Sequence, residues 1–229
     1  MSHAVIVNTR QQYALWPTGS ELPDGWASTG WTGAEQACLD RIAGLWNDGR
    51  PASVRRAAQE DAARAAVRLH ATARLWLREV LPEEAREIRE GGTAGLQWLG
   101  DEPSAESRVA ARMLVKGADA GLHAPGWGMY LLFRASDARV VGAMGFHGPP
   151  SEGSVEIGFD LNEAARGKGY ATEALAELAH WSLRQDGVGT VVATTTEDNT
   201  ASQHVMERAG FALLPERDPE GLLVYRLTH

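Results

Sequence analysis

The chain has 229 residues, a net charge of −8, a single cysteine and 44% hydrophobic residues. That balance reads as an ordinary soluble protein and excludes an intramolecular disulfide framework and a broad nucleic-acid-binding surface. No apolar run reaches the roughly 18 residues a membrane helix needs, and Met1-Ser2-His3-Ala4 lacks the basic and apolar regions of a signal peptide, so a cytoplasmic protein is expected.

Charge and tryptophan divide the chain. Residues 1–58 carry five basic and five acidic side chains, so the whole excess of −8 falls in residues 59–229. Trp16, Trp26, Trp31 and Trp46 crowd the first fifty positions. Two domains are expected, at 1–56 and 73–229, joined by a helical connector over 57–72 that is rich in Ala, Arg and Glu.

In the first domain, Ala4-Val5-Ile6-Val7 and Gln12–Trp16 read as short strands, the second ended by Pro17. Pro23-Asp24-Gly25 reads as a turn. Thr32 is the expected N-cap of a helix in which Cys38, Ile42, Leu45 and Trp46 recur at helical spacing, and Asp48-Gly49-Arg50-Pro51 stops it. Cys38 and Trp46 are read as core residues.

From Ala73 the alternation of Leu75, Leu77 and Val80 predicts a strand, and Pro82-Glu83-Glu84-Ala85 a helix start. No motif marks the region 85–125. Tyr130–Arg134 and Val140–Phe146 read as paired strands around Ser136-Asp137. A strand over 154–161, a helix to about 184, a strand over 190–194, a helix over about 200–209 and two closing strands, from Phe211 and from Leu222, complete the chain.

Between strand 154–161 and its helix lies Arg166-Gly167-Lys168-Gly169-Tyr170-Ala171. A helix start leaves backbone N–H groups unpaired and carries about half a positive charge, so this turn is suited to a diphosphate. Gly167 and Gly169 let the backbone approach closely. No cluster has metal-ligand spacing, so no metal is expected.

Two motifs carry a resemblance. Arg166, Gly169 and Ala171 match an Arg/Gln-x-x-Gly-x-Gly/Ala signature, and Asn199–Phe211 follows some thirty residues later in strand–helix–strand–helix order. On these, residues 73–229 resemble the GNAT superfamily of CoA-dependent acyltransferases, in its RimJ/RimL-like branch. The resemblance implies an α/β (α+β) fold, a mixed, mainly antiparallel sheet flanked by helices, that uses acetyl-CoA as donor for an amine acceptor. It implies that Arg166, Gly167, Lys168, Gly169, Tyr170 and Ala171 hold the diphosphate, and that Phe159, Asp160 and Leu161 run beside the pantetheine. Asn199 would bind the pantetheine, as well as capping its helix, and Ser202 would lie near the thioester sulfur. Members often carry a Tyr as thiolate acid where this chain has Met206, so Ser202 or water must substitute. The acceptor pocket is normally built from the 85–125 region and the late strands.

Acetylation needs a free amine. At pH 7 an alkylammonium costs about 4.6 kcal/mol to deprotonate and an α-ammonium about 1 kcal/mol. Glu156, out of phase with Val155 and Ile157, is the first candidate base and His147 the second. His180 and His204, on predicted helices, are read as solvated.

Residues 1–56 are similar to the MbtH-like proteins, which bind adenylation domains of nonribosomal peptide synthetases. The matches include Asn8, Gln12-Tyr13, Leu15-Trp16-Pro17, Pro23-Asp24-Gly25-Trp26, Leu39, Ile42, Trp46, Asp48, Arg50-Pro51 and Ser53, with Arg10, Ala14, Asn47 and Val54 as departures. The resemblance implies a small sheet-plus-helix domain with a partner slot at Trp16 and Trp26, flanked by Ala14 and Leu15. The reading is thus an N-acetyltransferase tied to nonribosomal peptide biosynthesis or self-resistance. The alternatives are a non-catalytic MbtH-like scaffold with a CoA-binding domain, and a protein N-terminal acetyltransferase. Self-association is left open.

Overall fold

A computed structural model of the protein describes residues 2–9, 12–45 and 67–229. The chain divides into two compact units, residues 1–65 and 66–229.

The first unit is a three-stranded antiparallel sheet in the order β2-β1-β3, from β1 (His3–Asn8), β2 (Tyr13–Pro17) and β3 (Trp26–Gly33), with helix α1 (Glu35–Leu45). Val5, Ile6 and Cys38 are buried. The Cys38 Sγ–H donates to the His3 carbonyl at 3.4 Å, in line with its core reading. Thr32 is no N-cap: it pairs with Ala4 inside β3, and the helix starts three residues later. The sequence hides β3 because Trp26–Gly33 has no apolar alternation, most of the strand being exposed. Trp46, Asp48, Arg50, Pro51 and Ser53 lie outside the described residues.

The second unit is an eight-stranded sheet in the order β10-β11-β9-β8-β7-β6-β5-β4. Its strands are β4 (Leu69–Ala71), β5 (Leu75–Glu79), β6 (Met129–Arg134), β7 (Val140–Phe146), β8 (Ser154–Leu161), β9 (Thr190–Thr195), β10 (Ala212–Arg217) and β11 (Leu223–Thr228). Every neighbouring pair is antiparallel except β8 with β9. The helical connector expected over 57–72 lies outside the described residues up to 66, and its last part is instead the edge strand β4. Pairing with β5 satisfies its backbone there, and the period-2 geometry puts His70 against the sheet while Leu69 stays exposed.

Alternation along the strands feeds two apolar layers. Leu75, Leu77, Tyr130, Leu132 and Ile157 pack with α4 (Tyr170–Leu183) and α5 (Thr200–Arg208). Leu131 and Val140 belong to the layer formed with α2 (Pro82–Arg89) and α3 (Ala105–Asp119). The expected alternation past Leu77 breaks at Glu79, which is buried, while Val80 serves the second layer. The Glu79 carboxylate accepts from the backbone N–H of Arg68 at 3.2 Å and from that of Gly126, so the buried charge has its donors. Helix α3 is capped by Ser104, whose hydroxyl accepts from Ser107 N–H at 2.9 Å.

Candidate active site

The parallel strands β8 and β9 stay paired only from Ser154–Thr190 to Glu156–Val192. Beyond Glu156, β8 continues to Leu161 on its β7 side alone, so its other edge carries unpaired backbone groups facing a wedge. The wedge opens toward Arg166–Ala171. A single 3₁₀ turn (Glu163–Ala165), capped by Asn162, leads from β8 into this loop. Gly167 and Gly169 have φ of 72° and 80°, in the left-handed region, and α4 starts at Tyr170 without a side-chain cap. The N–H groups of Gly167, Lys168 and Gly169 have no acceptor among the described residues. The side chains of Arg166 and Lys168 are turned onto their own segment: Arg166 Nε donates to the Leu161 carbonyl at 3.1 Å and Lys168 Nζ to the Ala164 carbonyl at 2.8 Å.

One brace was not legible in the sequence. Arg74, in the turn between β4 and β5, donates through Nη1 to the Lys168 carbonyl at 2.8 Å and through Nε to Glu173 at 2.7 Å, and lies 4.9 Å over the Tyr170 ring. Thr72 and the Arg74 N–H also reach Glu173. The Glu173 carboxyl is partly desolvated, which alone would raise it, yet these donors hold it below the ordinary glutamate value.

At the vertex of the wedge the two candidate bases meet. His147 Nδ1 donates to Glu156 Oε2 at 3.2 Å, and the Thr194 hydroxyl donates to Glu156 Oε1 at 3.2 Å. The hydrogen bond from His147 holds the Glu156 carboxyl below its ordinary value, against the opposing effect of burial. His147 Nε2 lies 3.0 Å from where a Cβ on residue 158 would stand, so Gly158 makes room for the imidazole.

On the same face of β8, Asp160 accepts from Ser104 Oγ at 2.6 Å and Ser107 Oγ at 3.2 Å. Burial raises its carboxyl above the ordinary aspartate value, opposed by the two serines. A cavity of about 340 Å³ extends from Asp160 and His147 between β6–β8 and α3, reaching Leu122 and Trp127. Neither β10 nor β11 lines it, so the late strands expected at the acceptor side are absent from this cavity among the described residues. No group of His, Cys, Asp or Glu among them could hold a metal ion.

Residues 54–212 match the family described as the acetyltransferase (GNAT) domain, more than half of the chain. The chain belongs to the GNAT acetyltransferases. Residues 1–58 match the family described as MbtH-like protein, so an MbtH-like domain precedes the GNAT domain. YjdG of Bacillus subtilis (strain 168), an uncharacterized N-acetyltransferase, is 37% identical over 89 residues, 38% of this chain. That match spans 53% of YjdG, about half the length of this curated relative.

An acetyltransferase from Agrobacterium tumefaciens C58 shares the fold at a TM-score of 0.52 and 24% identity, over 71% of this chain and 95% of its own. A ribosomal-protein-serine acetyltransferase structure from Vibrio cholerae does so at 0.51 and 18%, over 71% and 98%. The ribosomal L7/L12 acetyltransferase RimL, solved with coenzyme A, does so at 0.50 and 21%, over 70% and 98%. At these identities the likeness is one of fold.

Within this GNAT domain the remaining predicted residues take these places. Phe159 and Leu161, beside Asp160, lie along the open β8 edge. Ala171 is buried in the first turn of α4. Asn199 caps α5, its Oδ1 accepting from Ser202 N–H at 3.1 Å, and Ser202 is half-buried there. Met206 is fully buried in the core, one helical turn on, so its thioether fills core space and brings no acidic group to the site. His180 and His204 are exposed.

In the MbtH-like domain, Trp16 pairs with Ala4, Ala14 with Ile6, and Trp26 with Asn8. Those registers put Ala14, Trp16 and Trp26 on one face of the sheet. Leu15 pairs with Val5 and faces the other way. Both tryptophans stay half-exposed.

Proposed function

We propose that this chain transfers an acetyl group from acetyl-CoA to an amine held on the α3 side of β8. The observation that carries the reading is the parting of β8 and β9 beside the free amides of Gly167–Gly169, with the Glu156–His147 pair at the vertex. The open edge at Phe159–Leu161 suits amide groups of a pantetheine arm, much as an added strand would pair. The loop amides suit the diphosphate. Acetyl-CoA supplies an activated thioester.

Proximity in such a site accounts for much of the acceleration. The Glu156–His147 pair takes the proton that the amine nitrogen sheds as its bond to the acetyl carbon forms and the carbon–sulfur bond breaks. Ser202, in the first turn of α5, supplies the proton that makes the departing sulfur a thiol and regains one from a water, to which the Glu156–His147 pair returns the amine's proton. The MbtH-like domain presents Trp16 and Trp26 for an adenylation domain of a nonribosomal peptide synthetase. This ties the acceptor to such a product or its precursor.

Thiol release from acetyl-CoA in the presence of an amine panel tests the reading. Release with at least one amine, lost in Glu156→Gln, is expected. Absence of calorimetric acetyl-CoA binding would overturn it.

A further inference from the structure

The acceptor cavity has a chemical signature of its own. Its walls are apolar and partly aromatic, with Trp127, Phe146 and Phe159 joined by Met113 and Leu122. Trp127 is held rigidly, its ring 5.1 Å from Phe146 and 5.0 Å from Trp181. A volume near 340 Å³ lies in the range of small-molecule sites. Its charged groups are carboxylates. Asp160 and Glu106 both line it, and they are close enough that Glu106 adds to the raising of the Asp160 carboxyl. No lysine or arginine lines it among the described residues. Among the described residues, the other titratable lining groups are His123 and His147.

A ligand carboxylate entering this space would lose water, meet two like charges and find no cation. An ammonium with an apolar body meets the opposite case. Its charge is attracted by Asp160 and Glu106, its body is desolvated against aromatic faces, and its nitrogen comes within the region of His147 Nε2.

Resting on the acetyl-transfer reading, we propose that the acceptor is a compact primary amine with an apolar, ring-sized body and no free carboxylate. An amino acid qualifies only after its carboxyl has been removed or converted to an amide, ester or thioester. Where the acceptor derives from an amino acid, the reaction that supplies it is a decarboxylation or a carboxyl activation.

The test uses the full chain saturated with CoA and measures calorimetric binding of 2-phenylethylamine, L-phenylalanine amide, L-phenylalanine and spermidine. Thiol release with acetyl-CoA is measured on the same four. The first two should bind and react at least tenfold better than the last two. Glu106→Lys, which reverses one of the two lining carboxylate charges at an exposed helix position, should narrow the gap between L-phenylalanine amide and L-phenylalanine at least fivefold. Equal use of L-phenylalanine and its amide, preference for spermidine, or binding of none of the four overturns the proposal. If the wild-type ranking holds, an unfolded Glu106→Lys protein leaves the proposal standing on that ranking. Loss of acetyl-CoA binding itself would instead sink the acetyl-transfer reading, so the two failures are distinguishable.

Discussion

Replacing Arg74 by alanine separates a pre-formed diphosphate loop from one shaped only by its glycines. The guanidinium makes one hydrogen bond to the Lys168 carbonyl, an ion pair with Glu173 and a stacking contact with Tyr170. Its side chain is 49% exposed, so the ion pair is discounted to the surface range of about 0.2–1 kcal/mol. The bond to the carbonyl adds about 0.5–1.5 kcal/mol. The cation–π contact adds about 0.5–1 kcal/mol. Only the part of this sum that orders the loop bears on ligand binding, which leaves roughly 1–2 kcal/mol, or about a 5- to 30-fold weaker acetyl-CoA dissociation constant.

Calorimetric titration of the wild type and Arg74→Ala reads that change directly, and kcat at saturating acetyl-CoA should stay within about threefold, because Arg74 does not touch the vertex. Arg74→Lys keeps the charge but loses the fork, so it should remain impaired. An affinity within twofold of wild type in Arg74→Ala, or full recovery in Arg74→Lys, would refute the bracing argument.

Four further outcomes are expected. Glu156→Gln should lower kcat about 100-fold, the scale of a lost general base. Because the Glu156 carboxyl is depressed in the fold, its stabilising contribution is complete at neutral pH and fades only as pH falls through that depressed value, below 4.5. Removing the partner in His147→Gln should therefore make urea unfolding midpoints less sensitive to pH in the acid range. In Gly145→Ala, a Cβ would stand 2.5 Å from the Gly128 carbonyl oxygen, and overpacking of this kind costs about 1–3 kcal/mol, measurable as a lower denaturant midpoint. Trp16→Ala should weaken capture of an adenylation domain by at least about tenfold, as loss of an interface hot spot does, while acetyl-CoA binding by the GNAT domain is unchanged in the same preparation.

What could be read from the residues followed local rules. The Arg166–Ala171 loop, β8, α4, β9 and α5 combine glycine punctuation with clear periodicity, and each stands where the sequence puts it. Helix α3 is hard to read from the sequence although its buried positions, Ser107, Ala111, Leu114 and Val115, have helical spacing. Two of the four are small or polar, while Val109 and Met113, which line the cavity, are apolar and exposed, so the apolar stripe is blurred. Long-range partners were out of reach for a different reason. Glu79 is buried on amides supplied by Arg68 and Gly126, and Arg74 finds Glu173 some hundred residues away. Nothing in a window of neighbouring residues encodes such a pairing. The meeting of Glu156 and His147 is of the same kind, since each residue is legible alone but their contact is set by the β7–β8 register.

The two halves of the proposed site are made of different material. The donor side is built of main-chain groups, a bared strand edge and a run of loop amides, whose identity survives most changes of side chain. The acceptor side is built from side chains on α3 and the 122–127 segment, which Glu79 ties down from beneath at Gly126. Mutational drift can therefore rewrite which amine is admitted without touching how the acyl carrier is gripped. A library confined to positions 109, 113 and 122 should recover variants with new amine preferences at nearly constant acetyl-CoA affinity.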